Sequence, residues 1–406
     1  MAFSDKVAMS TTERRLKRIW TPADAAFGGR RSVRAFTYEA FLPDRVATLE
    51  PTLPSDVANV VTEAEVAVRA MNGPSARLAT VDALSRQLLR SESVASSRIE
   101  GLVVSHRRVA RAAFDPAAAD AGARAVLGNI RAMERAIALG AAAPQLRSRD
   151  LVAIHATLFR ETALASIAGK IRTSQNWIGG SDDSPRRAEF IPPPEDRVAG
   201  LLDDLCAFVA RDDLPAIAQA AIAHAQFETI HPFADGNGRV GRCLVHAILR
   251  RRGVAPRCVP PISLVLATDQ PAYVRGLTTF RSYAPDAIAA CVATFAQAAR
   301  TAALGASSLA ERIDALLARL REKASIRRSG SAAERLIEML PSEPVLSIAR
   351  AAELVGVSYE AARLAVEQLR ATGVLTEVSA RPRGRLYEAR ALFDLVDEFE
   401  RGIGDR

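Results

Sequence analysis

The 406-residue sequence has few aromatic residues and only four cysteines. No two cysteines form a Cys-x-x-Cys pair and each lies in an apolar stretch, so we expect free, buried thiols, which fit a reducing compartment. The chain also lacks an uninterrupted apolar run of about 20 residues, and its start lacks the apolar segment of a secretory signal. The sequence therefore predicts a cytoplasmic protein without a membrane span.

Alanine is abundant while only 5% of the residues are aromatic, a composition that favours helices. Apolar residues recur at steps of three and four between residues 57 and 68, which is typical of an amphipathic helix. We predict a mainly α-helical protein with further helices at Thr80–Leu89, Ser91–Ile99 and Asp150–Leu158, and an irregular arm over residues 1–50. The formal net charge of +8 permits binding of nucleotides without establishing it.

The pattern changes between residues 169 and 198, where the sequence predicts a β-hairpin inside the helical chain. Short β-like runs at Gln175–Ile178 and Ala188–Ile191 flank a segment rich in turn residues. Helices are predicted to follow at Ala199–Ala210 and Leu214–Ile230.

The segment HPFADGNGRVGR, His231–Arg242, follows the second of these helices and has the residues needed to hold a polyphosphate. Its glycines let the backbone approach an anion closely, and the N–H groups at the start of the next helix point towards that anion. Arg239 and Arg242 share one helix face and suit phosphate oxygens. Asp235 is placed to bind a magnesium ion beside the phosphates, and His231 suits a general base near neutral pH. The spacing does not fit a P-loop, because no lysine follows the glycines.

This segment resembles the signature of the Fic family, His-x-Phe-x-Asp/Glu-Gly-Asn-Gly-Arg-x-x-Arg, at every defined position. The resemblance implies a protein adenylyltransferase, which moves AMP from ATP to a Ser, Thr or Tyr hydroxyl of another protein. It implies that His231 accepts the hydroxyl proton and that Asp235 binds Mg²⁺ or Mn²⁺. It also implies that Arg239 and Arg242 hold the outer phosphates. The implied anion hole consists of Gly236, Asn237 and Gly238.

Two further regions resemble the same family. The predicted hairpin resembles its flap, which implies that Asn176, Trp177 and Ile178 dock the target by strand addition. Tyr273 resembles an aromatic residue on the adenine side of the nucleotide.

The stretch SESVASSRIEG at residues 91–101 matches the inhibitory pattern of the family, Ser/Thr-x-x-x-Glu-Gly/Asn, at Ser96, Glu100 and Gly101. The resemblance implies that Glu100 pairs with Arg242 and occupies the positive charge meant for the γ-phosphate. ATP would then bind with its phosphates displaced, so the resemblance implies an autoinhibited enzyme.

The last 76 residues, 331–406, resemble a winged helix-turn-helix module. Helices are predicted at Ala332–Leu340, Ser347–Leu354 and Tyr359–Thr372, with short strands flanking Arg381–Arg385. The module has 13 acidic residues, 10 arginines and no lysine, a net charge of −3 that matches DNA poorly. We therefore favour contact with protein, including a homodimer partner, over DNA binding.

These patterns predict four regions: an N-terminal arm and inhibitory segment over 1–115, a Fic catalytic core over 116–300, a helical linker over 301–330 and the winged-helix-like module over 331–406. The motif specifies phosphates and metal but neither base nor head group, so removal of AMP and transfer of another nucleotide or of phosphocholine stay open. The alternative of another class is a DNA-binding transcriptional regulator with a degenerate core. The intact motif and the acidic module both argue against that regulator.

Overall fold

The computed structural model describes residues 14–21, 34–73, 78–142, 144–181, 183–326, 328–378 and 385–404. The predicted mainly α-helical class is confirmed. The strands are β1 (Arg15–Trp20), β2 (Phe36–Phe41), β3 (Val345–Leu346), β4 (Thr376–Glu377) and β5 (Tyr387–Glu388). The α-helices are α1 (Ser55–Met71), α2 (Leu78–Ile99), α3 (His106–Phe114), α4 (Ala121–Ala142), α5 (Ser148–Phe159), α6 (Glu195–Val209), α7 (Ala216–Ile230), α8 (Asn237–Arg251), α9 (Ile262–Leu266), α10 (Gln270–Phe280), α11 (Pro285–Lys323), α12 (Ala332–Met339), α13 (Ile348–Val355), α14 (Tyr359–Ala371) and α15 (Arg390–Gly404).

The N-terminal segment departs from the predicted irregular arm, because β1 and β2 pair as antiparallel strands with Trp20 opposite Phe36. Trp20 is buried and its ring packs edge-on against Trp177, with 5.4 Å between the ring centroids. The contact partner lies more than 150 residues away in the chain, so local periodicity could not indicate these strands. Residues 1–13 and 22–33 of the predicted arm lie outside the described residues.

Two local predictions need correction. The helices predicted at Thr80–Leu89 and Ser91–Ile99 form one continuous helix, α2, since no glycine or proline separates them. The predicted hairpin is reduced to an isolated bridge between Ile178 and Phe190, in which the Ile178 N–H donates to the Phe190 carbonyl at 2.8 Å.

Helix α7 lies at the centre of the core, and all of its 15 residues are buried. A helix that is buried on every side has neighbours on every side, and α7 packs against α1, α6, α8, α10 and α11. Its rigid C-terminal end therefore fixes where the loop to α8 begins.

Helix α11 has 39 residues and extends from the core through most of the predicted linker. Among the described residues it is the one helix long and apolar enough to cross a membrane, judged by length and composition alone. In its apolar window 61% of the residues are buried inside the protein, and the core helix of a soluble protein passes the same test. The four cysteines are free thiols, as predicted, and three of them are buried.

The C-terminal region contains α12, α13 and α14 at the predicted places, with a three-stranded antiparallel sheet of order β3-β5-β4. Helix α15 was not predicted and packs against α11. Arg381 and Arg383 of the predicted wing lie outside the described residues.

Helices α4 and α8 approach each other where Gly140 faces Ala247. A Cβ atom at position 140 would lie 2.3 Å from the Ala247 carbonyl oxygen, whereas one at Gly200 on α6 would meet no atom within 4 Å. We expect Gly140→Ala to lower the free energy of unfolding by about 1–3 kcal/mol through overpacking. The control Gly200→Ala should raise it by about 0.5–1 kcal/mol. Urea denaturation measures both, and equal stabilities would contradict the described packing.

Candidate nucleotide site

The loop between α7 and α8 begins and ends with left-handed backbone. His231 caps α7 at φ 51°, and Gly236 precedes α8 at φ 78°. A Cβ atom at position 236 would lie 2.6 Å from the ring of Phe159, so glycine is required there for space as well as for backbone conformation. Because His231 and Gly236 have left-handed backbone conformations, one short loop connects His231 to the first turn of α8.

The loop is held from within by Asn237. Its side-chain oxygen accepts from the Phe233 N–H at 2.9 Å, and its side-chain nitrogen donates to the Phe233 carbonyl at 2.8 Å. The Phe233 ring is fully buried and stacks on His155, with 3.9 Å between centroids. The Asn237 side chain is therefore committed to the loop, so only its backbone N–H is left for the anion hole predicted there.

The loop is also held from outside by two residues of the flap region. Arg172 donates from Nε to the His231 carbonyl at 2.9 Å, and Asn176 donates from Nδ2 to the Phe233 carbonyl at 3.0 Å. The Asn176 side chain thus supports the loop, although the sequence assigned this residue to target docking. Of the other two predicted docking residues, Trp177 packs on the N-terminal strands and Ile178 forms the bridge to Phe190.

His155 supports the loop from α5, a role that sequence reasoning missed. The Gly169 N–H donates to Nδ1 at 2.9 Å, so the proton is on Nε2, which donates to the Asp235 carbonyl at 3.1 Å. Burial lowers the pKa of His155 to about 4, which keeps the imidazole neutral. A histidine on the apolar face of a predicted helix was the available signal.

His231 is a neutral imidazole with one nitrogen left for chemistry. Burial, and then the charge of Arg172, lower its pKa to about 4. Its Nδ1 lies 3.3 Å from the Glu228 carbonyl oxygen, which can only accept, so Nδ1 bears the proton. The Nε2 lone pair is then available as a base.

Glu228 lies beneath His231 and was also missed by sequence reasoning. Its Oε2 is 3.9 Å from His231 Nδ1, and its buried Oε1 has no hydrogen-bond partner among the described residues. Burial raises the pKa of Glu228 to about 7, partly opposed by the charge of Arg242. A Cβ atom at Gly241 would lie 2.5 Å from Oε1, so α8 approaches this carboxyl group closely.

The two motif arginines are both buried but have different partners. The guanidinium of Arg239 lies 5.0 Å above the Phe159 ring and 3.5 Å from Asp235, whose own side chain is 52% exposed. Burial lowers the pKa of Arg239. The Gly236 N–H donates to Asp235 Oδ1 at 2.5 Å.

Arg242 is fully buried and is bound by α2. Its Nη2 lies 2.7 Å from Glu100 Oε1, and its Nε and Nη2 donate to the hydroxyl and carbonyl of Ser96 at 2.8 and 2.9 Å. Burial opposes ionisation of Glu100, but the charge and hydrogen bond of Arg242 outweigh it and lower the pKa of Glu100. A Cβ atom at Gly238 would lie 2.0 Å from Glu100 Oε1, so Glu100 lies directly over the start of α8.

The remaining predicted residues lie around this pair. Gly101 ends α2 with φ 80°, a conformation that favours glycine. Tyr273 is 7% exposed, and its hydroxyl lies 2.6 Å from His224 Nε2 and 3.5 Å from Arg242 Nη1. The Tyr273 hydroxyl therefore contacts both His224 and the Arg242 guanidinium. Among the described residues no three His, Cys, Asp or Glu side chains form a group that could hold a metal ion without a ligand's help.

Two family models match parts of this chain. A model of the Fic/DOC family N-terminal region matches residues 58–138, and a model of the Fic/DOC family matches residues 145–249. Protein adenylyltransferase fic-1 of Caenorhabditis briggsae is 36% identical over 96 residues, which are 23% of this chain and 17% of that protein. A probable protein adenylyltransferase of Aquifex aeolicus is 41% identical over 68 residues, 16% of this chain and 21% of that protein.

The chain thus spans about a fifth of the length of these curated relatives. A crystal structure of a Fic family protein from Desulfovibrio desulfuricans covers 84% of this chain and 98% of its own chain, with a TM-score of 0.52 and 24% identity. That similarity shows a shared fold.

We predict that His155, His224 and His231 stay neutral at pH 6, because their pKa values are lowered to about 4, 3 and 4. Histidines of the unfolded chain protonate near pH 6.5, at about their unperturbed pKa. The unfolded state then binds more protons, so the free energy of unfolding should fall as the pH drops from 7 towards 4. Imidazole ¹⁵N shifts and urea denaturation at several pH values measure both effects. A His231 signal that titrates near pH 6.5 would contradict the described burial.

Proposed function

We propose that this chain transfers AMP from ATP to a hydroxyl group of a protein and that Glu100 restrains this reaction, because models of the Fic/DOC family match residues 58–138 and 145–249. The observation that supports the proposal most strongly is a neutral His231 at the start of the glycine-containing loop, followed by a buried Arg242 on the helix after that loop. This arrangement supplies a base on one side and a phosphate-binding charge on the other.

In the proposed reaction, His231 Nε2 accepts the proton of the target hydroxyl. The hydroxyl oxygen attacks the α-phosphorus of ATP, the bond from that phosphorus to the bridging oxygen breaks, and pyrophosphate leaves. Burial lowers the pKa of His231, so the imidazole is unprotonated at pH 7. Positioning and charge neutralisation provide most of the rate enhancement in reactions of this type.

The phosphates would lie at the start of α8. The backbone of Gly236, Asn237 and Gly238 would face them, since helix N-termini bind anions, and Arg239 and Arg242 would neutralise the outer phosphates. Tyr273 would act through Arg242, because its hydroxyl is directed towards that guanidinium.

Asp235 fits a magnesium or manganese ion. Its side chain is 52% exposed and lies beside Arg239 at the proposed phosphate position. Magnesium in proteins is commonly bound by one or two carboxylates together with substrate phosphates and water, so a single acid suffices. The ion, when bound, would neutralise phosphate charge.

Autoinhibition is proposed from the pairing of Glu100 with Arg242. The Glu100 carboxylate forms an ion pair with the Arg242 guanidinium, to which an outer phosphate of ATP would otherwise bind. The same carboxylate lies over Gly238 at the start of α8. Productive ATP binding therefore requires Glu100 to leave. Because the Glu100 side chain is 36% exposed, solvent screens the pair and departure is feasible without unfolding.

For the flap we propose target docking along Trp177 and Ile178. The support is that Ile178 is already in the extended pairing with Phe190, which a docked strand would continue. Asn176 would contribute indirectly, by holding the motif loop.

The C-terminal region is proposed to contact protein rather than DNA. On α14, Arg363 is hydrogen-bonded to Glu360 at 2.6 Å and Arg370 to Glu367 at 2.9 Å. These arginines are thereby neutralised on the helix that would have to enter a DNA groove.

We predict that His231→Ala abolishes AMP transfer while ATP binding persists, because the substitution removes the base but none of the phosphate contacts. The measurement is incorporation of labelled AMP into protein, with ATP binding followed by calorimetry, both in a Glu100→Ala background. His246→Ala alters a buried histidine of α8 and is the control for loss of folding. Transfer at a near-normal rate in the His231 variant would remove this residue from the mechanism.

We predict that Glu100→Ala raises AMP transfer about tenfold or more, equivalent to at least about 1.4 kcal/mol of released restraint. Arg242→Ala in the same background should reduce transfer again, because the guanidinium is then needed for phosphate. Glu338→Ala removes a surface partner of Arg321 and should change nothing. Unchanged labelling and unchanged ATP affinity in Glu100→Ala would show that this residue is not the inhibitor.

A further inference from the structure

A second concave site lies outside the nucleotide site, between the N-terminal helices and the C-terminal region. The groove has a volume of about 790 Å³ and is bounded by α2, α3, α4 and the segment 342–345 that leads into β3. Small organic molecules occupy clefts of about 300–1,000 Å³. The groove is therefore of the right size for one such molecule.

Arg90 of α2 lines this groove without a partner. Its Nη1 is buried and has no hydrogen-bond acceptor, and no ion pair to Arg90 is found in the part of the chain that the structure describes. Burial lowers the pKa of Arg90 to about 10, so the guanidinium remains charged at neutral pH. An unpaired, largely desolvated charge is costly, and an anionic partner would remove this cost.

The acidic residues of the groove do not serve as that partner. Glu343 is held by Arg350 through both carboxylate oxygens, with 2.9 Å between Oε2 and Nε, and its Oε1 lies 4.0 Å from Arg86. Glu134 is exposed, and it forms no hydrogen bond or ion pair with Arg90 among the described residues. Three arginines thus face two acids, and Arg90 is the arginine left over.

Ser85 and Ser342 also line the groove, but one wall of it is apolar. That wall contains Leu89, Val109, Phe114, Leu127 and Ile130. An apolar wall next to an unpaired cation matches a ligand with an anionic group on an apolar body, whereas inorganic phosphate would leave the wall unfilled.

We propose that this groove is a binding site for a small organic anion, whose carboxylate, sulfonate or phosphate pairs with Arg90 and whose apolar body packs on Phe114 and Leu127. The site is separate from the ATP site and its existence does not depend on AMP transfer. It adjoins α2, the helix that also contains Ser96 and Glu100.

The test uses 8-anilinonaphthalene-1-sulfonate, a fluorescent aromatic sulfonate, titrated into the full-length protein with and without saturating ATP and magnesium. We expect one saturable site whose affinity falls at least tenfold in Arg90→Met and is unchanged in Arg124→Met. Arg124 is an exposed arginine of α4 outside the groove. Arg90→Met should melt at or above the temperature of the native protein, because it removes an unpaired charge.

A second variant protects the test against misfolding. Ala113 lines the groove and is exposed, so Ala113→Trp should fold and should fill the cavity, which would also weaken binding of the probe. Equal affinity in the native protein, Arg90→Met and Ala113→Trp would overturn the proposal. Displacement of the probe by ATP with no effect of either variant would place it in the nucleotide site and would overturn the proposal as well.

Discussion

The buried guanidinium of Arg242 is the constraint on which the candidate site depends. The Arg242 guanidinium requires an anionic partner, because burial removes the water that would otherwise solvate its charge. Glu100 meets that requirement in the described structure, and a phosphate of ATP would meet it in the proposed active state. Because both anions need the same guanidinium, inhibition and substrate binding exclude each other without any movement of the α7–α8 loop.

Helix α2 connects this constraint to the rest of the molecule. On one side Ser96 and Glu100 contact Arg242 of the core, and on the other Arg98 pairs with Glu400 of α15 at 3.0 Å. Glu400 is 8% exposed at its side chain and also contacts His106, so the pair is better shielded from solvent than an ordinary surface pair. The C-terminal region therefore contributes a contact that holds the end of α2 next to Glu100.

Sequence reasoning was most informative where the required residues are neighbours in the chain. The motif spacing located His231 and the start of α8, because those features are local consequences of glycines between two helices. The supporting residues His155 and Asn176 come from elements 55–80 residues away in sequence, and nothing local indicates which carbonyl they hold. The pairing of β1 with β2 was missed for the same reason, since it depends on a tertiary contact of Trp20.

Arg90 of α2 and Arg242, which α2 contacts, differ in how their positive charges are compensated. Arg242 is more deeply buried than Arg90, yet its pKa is raised, because Glu100 and the hydroxyl of Tyr273 compensate its desolvation. Burial lowers the pKa of Arg90, and the charge of Glu343, which is bound to Arg350, only partly opposes this shift. Burial alone therefore does not distinguish the two sites. What distinguishes them is whether the protein supplies the anion itself, as at Arg242, or leaves that position for a ligand, as at Arg90.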